Sequence, residues 1–194
     1  MKKSLGANTF LFPSPVWCIG SYDKSGKPNV MTASWGGICC SKPPAVSISL
    51  REATYTYANL MDTKAFTISV PTKQHIREAD YFGIESGRKA DKFEKSGLTP
   101  IRADKVNAPY VEEFPLVAEC EVIHTHKIGL HTQFIGEILD IKIDEKYVRE
   151  NGSVDMTSLD VFVYSSLGRR YFEVSGDLEF AFDIGKSLRK ERNS

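Results

Sequence analysis

Hydrophobic and polar residues alternate in short runs along most of the chain, and the alternation predicts strands first. Val46-Ser47-Ile48-Ser49-Leu50 sets an apolar residue at every second position, as a strand with one buried face does. Phe66-Thr67-Ile68-Ser69-Val70 repeats the pattern and stops at Pro71. Apolar runs over 16–22 and 29–33 flank Asp23-Lys24-Ser25-Gly26-Lys27-Pro28, which predicts a hairpin with a long loop. Residues 116–123, 134–143 and 161–164 complete the set, and Gly136 stands where a barrel strand can bend.

Helical periodicity is sparser. Thr54 is placed to cap a helix through Asp62, with Tyr57, Leu60 and Met61 along one side. Residues 73–82 form a second candidate and 88–95 a third, closed by Gly97 after Ser96. Asp91 and Phe93 read as a cap and a packing residue. Strands joined through turns, with helices inserted rather than alternating, argue against a doubly wound sheet. They predict a mainly-β fold, an antiparallel barrel with peripheral helices.

The 194 residues fit one domain, with a core over about 10–186 and a charged C-terminal end expected to fray. Lys plus Arg and Asp plus Glu both total 25. The zero formal charge speaks against nucleic-acid or membrane-surface binding. No apolar run is long enough to span a bilayer, and no apolar stretch follows Lys2-Lys3 as in a secretory signal. Cys18, Cys39, Cys40 and Cys120 match no Cys-x-x-Cys or zinc spacing, so they read as reduced thiols of a cytoplasmic protein.

The common catalytic motifs are absent: Gly-x-Gly-x-x-Gly, the P-loop, His-Glu-x-x-His and Gly-x-Ser-x-Gly. His124 and His126 share a strand face and His131 follows, but a metal needs further converging ligands. They read as solvent-facing strand residues, and no metal site is expected. Cys39 and Cys40, adjacent on a strand, should point to opposite faces. A disulfide between them is disfavoured; they read first as two small side chains near a barrel seam, with a thiol near a ligand as the alternative for Cys40.

Three segments carry ligand chemistry. Asn29-Val30-Met31-Thr32-Ala33-Ser34-Trp35, followed by Gly36-Gly37, lets a planar ligand approach the backbone closely. Ser49-Leu50-Arg51 runs into Thr54-Tyr55-Thr56, where an arginine beside a helix start suits a phosphate. Ser86-Gly87-Arg88-Lys89-Ala90-Asp91-Lys92-Phe93 again joins a Ser-Gly turn to cations. Each has a plainer reading: Trp35 as a barrel-core aromatic, Lys92 as a surface partner of Asp91 or Glu94. Asn29 would then only shape the Pro28 turn, Arg88-Lys89 would be a solvated face, and His131 a core or surface residue.

With Ser86-Gly87, Asp91-Lys92-Phe93-Glu94, Gly97-Leu98-Thr99, Ala108-Pro109 and Gly129 through Glu137, these segments make an ordered succession covering about residues 10–186. The chain resembles the flavin reductase-like, FMN-binding split-barrel family, in its flavoredoxin-like branch. The resemblance implies a six-stranded antiparallel split barrel of Greek-key type and a homodimer with FMN near the subunit interface. It implies that Thr32, Ala33, Ser34 and Trp35 run along the flavin ring, with Asn29 at the strand entry, Cys40 nearby and Leu50 beside the phosphate region. Arg51, Thr54 and Thr56 would hold the phosphate. Ser86, Gly87 and Lys92 would close over the ribityl phosphate, and His131 would stand near the flavin face as the catalytic residue. The implied activity is NAD(P)H-dependent flavin reduction. An electron carrier serving a partner protein is the alternative. A haem site with an axial histidine ranks third, because the two phosphate-suited segments argue against it.

Overall fold

The computed structural model describes residues 1–190. The first strands are β1 (Ser14–Pro15), β2 (Trp17–Tyr22), β3 (Pro28–Ala33), β4 (Gly36–Ser41) and β5 (Pro44–Arg51). Helix α1 (Tyr55–Thr63) leads to β6 (Ala65–Val70), followed by α2 (Ile76–Ile84) and α3 (Lys92–Ser96). Next come β7 (Pro100–Arg102), β8 (Pro109–Val111) and the long pair β9 (Leu116–Ile128) and β10 (His131–Ile143). The chain closes with β11 (Phe162–Ser165), β12 (Arg170–Glu173) and α4 (Ser187–Lys190).

One antiparallel sheet runs in the order β3-β2-β6-β9-β10-β5-β4. Its two edges, β3 and β4, are consecutive in the chain and not hydrogen-bonded to each other. The sheet therefore curls into a barrel open along that seam. It has seven strands where the resemblance implies six. β4, with its Gly-Gly-Ile-Cys-Cys-Ser sequence, shows no alternation of its own and is held by pairing with β5.

The barrel interior packs Ile19, Val46, Ile48, Leu50, Phe66, Ile68, Cys120 and Phe134, with Leu60 of α1 closing one end. At Gly136 the β9–β10 register shifts. A Cβ there would stand 2.5 Å from the buried Phe66 ring, so the close packing requires glycine. On β6 the expected alternation of core and solvent is corrected, because Thr67 and Ser69 are buried as well. The β7–β8 hairpin covers their side: Thr67 donates to Pro109 O at 2.5 Å, and Ser69 Oγ accepts from Val111 N at 3.1 Å.

A second apolar cluster, with Cys18, Val30, Ala79, Phe82, Phe93 and Phe114, fills the space between the outside of β2–β3 and helices α2 and α3. Thr54 caps α1 as predicted, accepting from Tyr57 N at 3.3 Å, and Lys64 ends the helix in a left-handed conformation (φ 56°). The buried side of α1 is Thr56, Asn59 and Leu60. Met61 is exposed, because Asn59 is drawn inward by donating to Ser21 Oγ at 3.0 Å. The third helix is shorter than expected. Residues 87–89 form a turn, Asp91 caps α3 through Glu94 N at 3.1 Å, and Gly97 closes it at φ 73°.

Beyond β12 the chain continues over 174–186 without a sheet partner among the described residues. The sequence reading of a charged end reaches to residue 194, and 191–194 lie outside the described residues. Among the described residues, no helix is long and apolar enough to cross a membrane.

Candidate functional site

A cavity of about 290 Å³ opens where the end of β5, the start of α1, β3 and the 83–87 segment meet. Seven sequence-predicted residues converge there. Asn29 comes from β3, Arg51 from the end of β5, and Thr54 and Thr56 from the helix start. Ser86, Gly87 and Lys92 come from across the opening.

Strand alternation decides which β3 side chains enter. Asn29 and Met31 face the cavity, whereas Val30 and Thr32 point toward α2. Asn29 is buried and donates through Nδ2 to Thr56 Oγ1 at 2.9 Å. Its Oδ1 is buried without a hydrogen-bond partner. That atom lies 2.1 Å from where a Cβ on Gly87 would be, and the Tyr55 ring lies 2.7 Å from the same point. Glycine at 87 lets the backbone press against an acceptor that lacks a donor. A buried carbonyl oxygen in this state costs about 1–3 kcal/mol, which a ligand hydroxyl would relieve.

The other end is suited to an anion. Arg51 is exposed and makes no ion pair among the described residues. The amides of Tyr55 and Thr56 belong to the first turn of α1, which has no intrahelical acceptors. Together with the helix dipole they favour negative charge.

Lys92 is neither a loop residue nor a surface partner of Asp91 or Glu94. It opens α3 and is only 4% exposed. Its ammonium donates to Val30 O at 2.9 Å and Phe82 O at 2.8 Å. Phe82 lies in the last turn of α2, where carbonyls lack intrahelical donors. Burial pushes the Lys92 ammonium down to about 8. Asp91 pairs instead with Lys27, at 3.1 Å.

The remaining sequence candidates lie outside the cavity lining. Thr32 donates to Ala79 O at 2.5 Å, while Ala33 and Leu50 are barrel core. Ser34 and Trp35 occupy the seam between β3 and β4. Trp35 is exposed rather than core, and stacks on His131 with ring centroids 4.7 Å apart. His131 opens β10 directly opposite Arg51 of β5, so this aromatic pair adjoins the cationic end of the cavity. Cys40 is exposed on β4 opposite Ala45, with Cys39 in a bulge beside it. The bulge interrupts the simple alternation expected for this pair. His124 and His126 are exposed, their rings 6.2 Å apart. No group of three metal-ligating side chains occurs among the described residues.

Three further residues, Arg88, Tyr55 and Asp23, brace the cavity wall through contacts that the sequence segments containing them did not reveal. Arg88 donates to Ala53 O at 2.8 Å and its guanidinium lies 5.3 Å over the Tyr55 ring. Tyr55 in turn donates to Asp23 Oδ2 at 2.7 Å. Hydrogen bonds from Ser25 and Tyr55 hold the Asp23 carboxyl down at about 2. The segment after α2 is thus tied to the helix start and to the β2–β3 turn. The only sequence signal was the nearness of Arg88 to Ser86-Gly87, which reads equally well as a solvated face.

A family model described as "Flavin reductase like domain" matches residues 9–164. The chain is similar to the flavoredoxin of Desulfovibrio vulgaris (Miyazaki F), with 48% identity and a TM-score of 0.91, covering 95% of this chain and 100% of that one. It is also similar to the flavoredoxin from Methanosarcina acetivorans, at 27% identity and a TM-score of 0.89, covering 97% and 99%. A ferric-chelate reductase (NAD(P)H) of Archaeoglobus fulgidus is 28% identical over 53% of this chain and 60% of that protein. Barrel, cavity and sequence agree, and the chain belongs to the flavin reductase-like domain family.

Proposed function

We propose that this protein is an FMN-binding oxidoreductase that draws its electrons from NAD(P)H and works as a homodimer. The observation that carries the flavin reading is the unpartnered Oδ1 of Asn29, buried in a cavity whose far end is Arg51 and the start of α1. A hydroxylated chain ending in a phosphate matches both ends. The cavity lies at the small end of the roughly 300–1,000 Å³ usual for ligand pockets. It suits the ribityl phosphate, and the Thr32, Ala33, Ser34 and Trp35 segment would hold the ring.

When bound, the flavin supplies the two-electron chemistry. The protein's share is positioning. Arg51, Thr54 and Thr56 hold the phosphate, Asn29 and Ser86 the hydroxyls, and Lys92 fixes β3 against α2. Trp35 and His131 would stand by the flavin ring, on the side a nicotinamide would need to reach. No proton-transferring residue is needed for that step.

The second reading is an electron carrier that serves a partner protein without turning over NAD(P)H. The 48% identity to a flavoredoxin favours it. The deciding experiment is the visible spectrum of the purified protein, followed by anaerobic NADH and then NADPH. Flavin bands that bleach promptly support the reductase. Bands that persist until dithionite is added support the carrier. A protein that takes up no FMN overturns both.

A further inference from the structure

Tyr55 lines both the cavity and a second hollow, which Asp23 and Arg88 also line. Neither Asp23 nor Arg88 lines the cavity itself. Through Arg88 the turn at 87–89 reaches the helix start: the guanidinium donates to Ala53 O at 2.8 Å and lies 5.3 Å over the Tyr55 ring. The Tyr55 hydroxyl donates to Asp23 Oδ2 at 2.7 Å. The other carboxylate oxygen of Asp23 accepts from Ser25 N at 2.8 Å and Lys27 N at 2.9 Å, which shapes the β2–β3 turn. Lys27 then pairs with Asp91, the cap of α3, at 3.1 Å.

These contacts run in a ring, from Arg88 through Tyr55, Asp23 and Lys27 to Asp91, which follows shortly after Arg88 in the chain. The links are unequal. Lys27 and Asp91 are an exposed ion pair, which holds weakly. The bond from Tyr55 to the Asp23 carboxylate is charge-assisted and short, and holds more strongly. Tyr55 also presses on the loop itself. Its ring lies 2.7 Å from where a Cβ on Gly87 would be, and Asn29 Oδ1 lies 2.1 Å from the same point. Whatever fixes Tyr55 therefore fixes how far the Ser86-Gly87 backbone stands from the unpartnered acceptor.

We propose that Asp23, Tyr55 and Arg88 are positioning residues, a clasp outside the cavity that holds Ser86-Gly87 across its opening and sets how slowly a bound flavin leaves. This deepens the flavin reading above and rests on it. Release needs the 86–89 segment to move aside, and a surface segment opens locally at a free-energy cost set by the contacts that it breaks. Here those contacts are the Arg88 bond to Ala53, the stacking of Arg88 on Tyr55 and the Tyr55 bond to Asp23. All three lie away from Arg51, so the clasp slows FMN and riboflavin alike, and the preference between them stays with the phosphate end.

The test uses the full chain with Tyr55→Phe, which keeps the ring and removes only the bond to Asp23, and with Arg88→Met, which keeps a long side chain without its charge. Lys89→Met, the neighbouring cation outside the ring of contacts, is the control. Each protein is loaded with FMN or with riboflavin and diluted, and the return of free flavin fluorescence gives the release rate. Tyr55→Phe and Arg88→Met should each release both flavins about threefold to tenfold faster, the range of one lost hydrogen bond. Lys89→Met should leave both rates unchanged, and the urea midpoints of all the flavin-free proteins should coincide. Amide hydrogen exchange over 86–88 in the flavin-free chain should quicken in the two clasp variants, a readout that needs no flavin. Faster release of FMN alone would make Arg88 a phosphate ligand and overturn the clasp. Unchanged release, with or without a lowered urea midpoint, would make these contacts purely structural and overturn it too. An unsubstituted chain that takes up neither flavin would remove the flavin reading, and unchanged exchange over 86–88 would then remove the clasp separately.

Discussion

Asn29 and Thr56 share one side-chain hydrogen bond, from Nδ2 to Oγ1 at 2.9 Å, and it joins β3 to α1 at the cavity wall. With the nitrogen committed to Thr56, the carbonyl end of the amide is turned toward Gly87, where no donor meets it. Replacing Asn29 by Ala should weaken FMN and riboflavin alike. The loss should be about tenfold to a hundredfold, corresponding to about 1–3 kcal/mol for one buried polar contact. Titration by quenching of flavin fluorescence reads both ligands. A loss confined to FMN would move Asn29 away from the hydroxylated chain.

Gly87 is the complementary test. A methyl group there would stand 2.1 Å from Asn29 Oδ1 and 2.7 Å from the Tyr55 ring. Gly87→Ala should cost about 1–3 kcal/mol of stability in urea, as overpacked sites do. Adding Asn29→Ala should recover part of that cost, because the two residues are in contact and their effects couple. Strict additivity would mean that the contact does not set the loop position.

Arg51 separates charge from shape. It has no acidic partner among the described residues to lose, so Arg51→Ala should leave the fold unchanged. FMN binding should fall about tenfold to a hundredfold, the range of a charge-assisted hydrogen bond at about 1.5–3 kcal/mol. Riboflavin, which lacks the phosphate, should bind within about twofold of the unsubstituted protein. Equal losses for the two flavins would exclude Arg51 as the phosphate partner.

Much of this was readable in advance, for identifiable reasons. Arg51, Thr54 and Ser86 were legible as residues of one cavity, because charge and hydroxyls at turns and helix starts stand out in the sequence. β5 was legible because only one of its faces is buried. β4 was not, since its pairing with β5 decides it rather than its own residues. Lys92 looked like a helix-surface cation, and only the approach of Val30 O and Phe82 O makes it internal. The chain from Arg88 through Tyr55 to Asp23 joins residues 65 positions apart in sequence, a distance no local pattern spans.

The Lys92 ammonium also sets a pH dependence. It titrates near 8 in the folded chain, against an ordinary lysine value of 10.5, because burial disfavours the charge. Below pH 8 folded and unfolded chains are both protonated, and the cost of burying the charge is carried in full. Between pH 8 and 10.5 the unfolded chain binds more protons, so this group makes stability rise with pH. Urea melts of the flavin-free protein and of Lys92→Met should show that rise as a difference between the two. FMN affinity should fall over the same interval as the cation is lost. Parallel curves for the two proteins would refute the assignment.

The two carbonyls that Lys92 holds belong to two elements that both reach the cavity, one to β3 and one to the final turn of α2. A bridge of this kind spares the empty pocket from collapsing and spares the incoming molecule from having to order it. Entry is then closer to a key meeting a finished lock than to a hand closing, and little entropy is lost on arrival. The backbone amides around Val30 and Phe82 should accordingly exchange with solvent at nearly the same rate in the empty and the loaded protein.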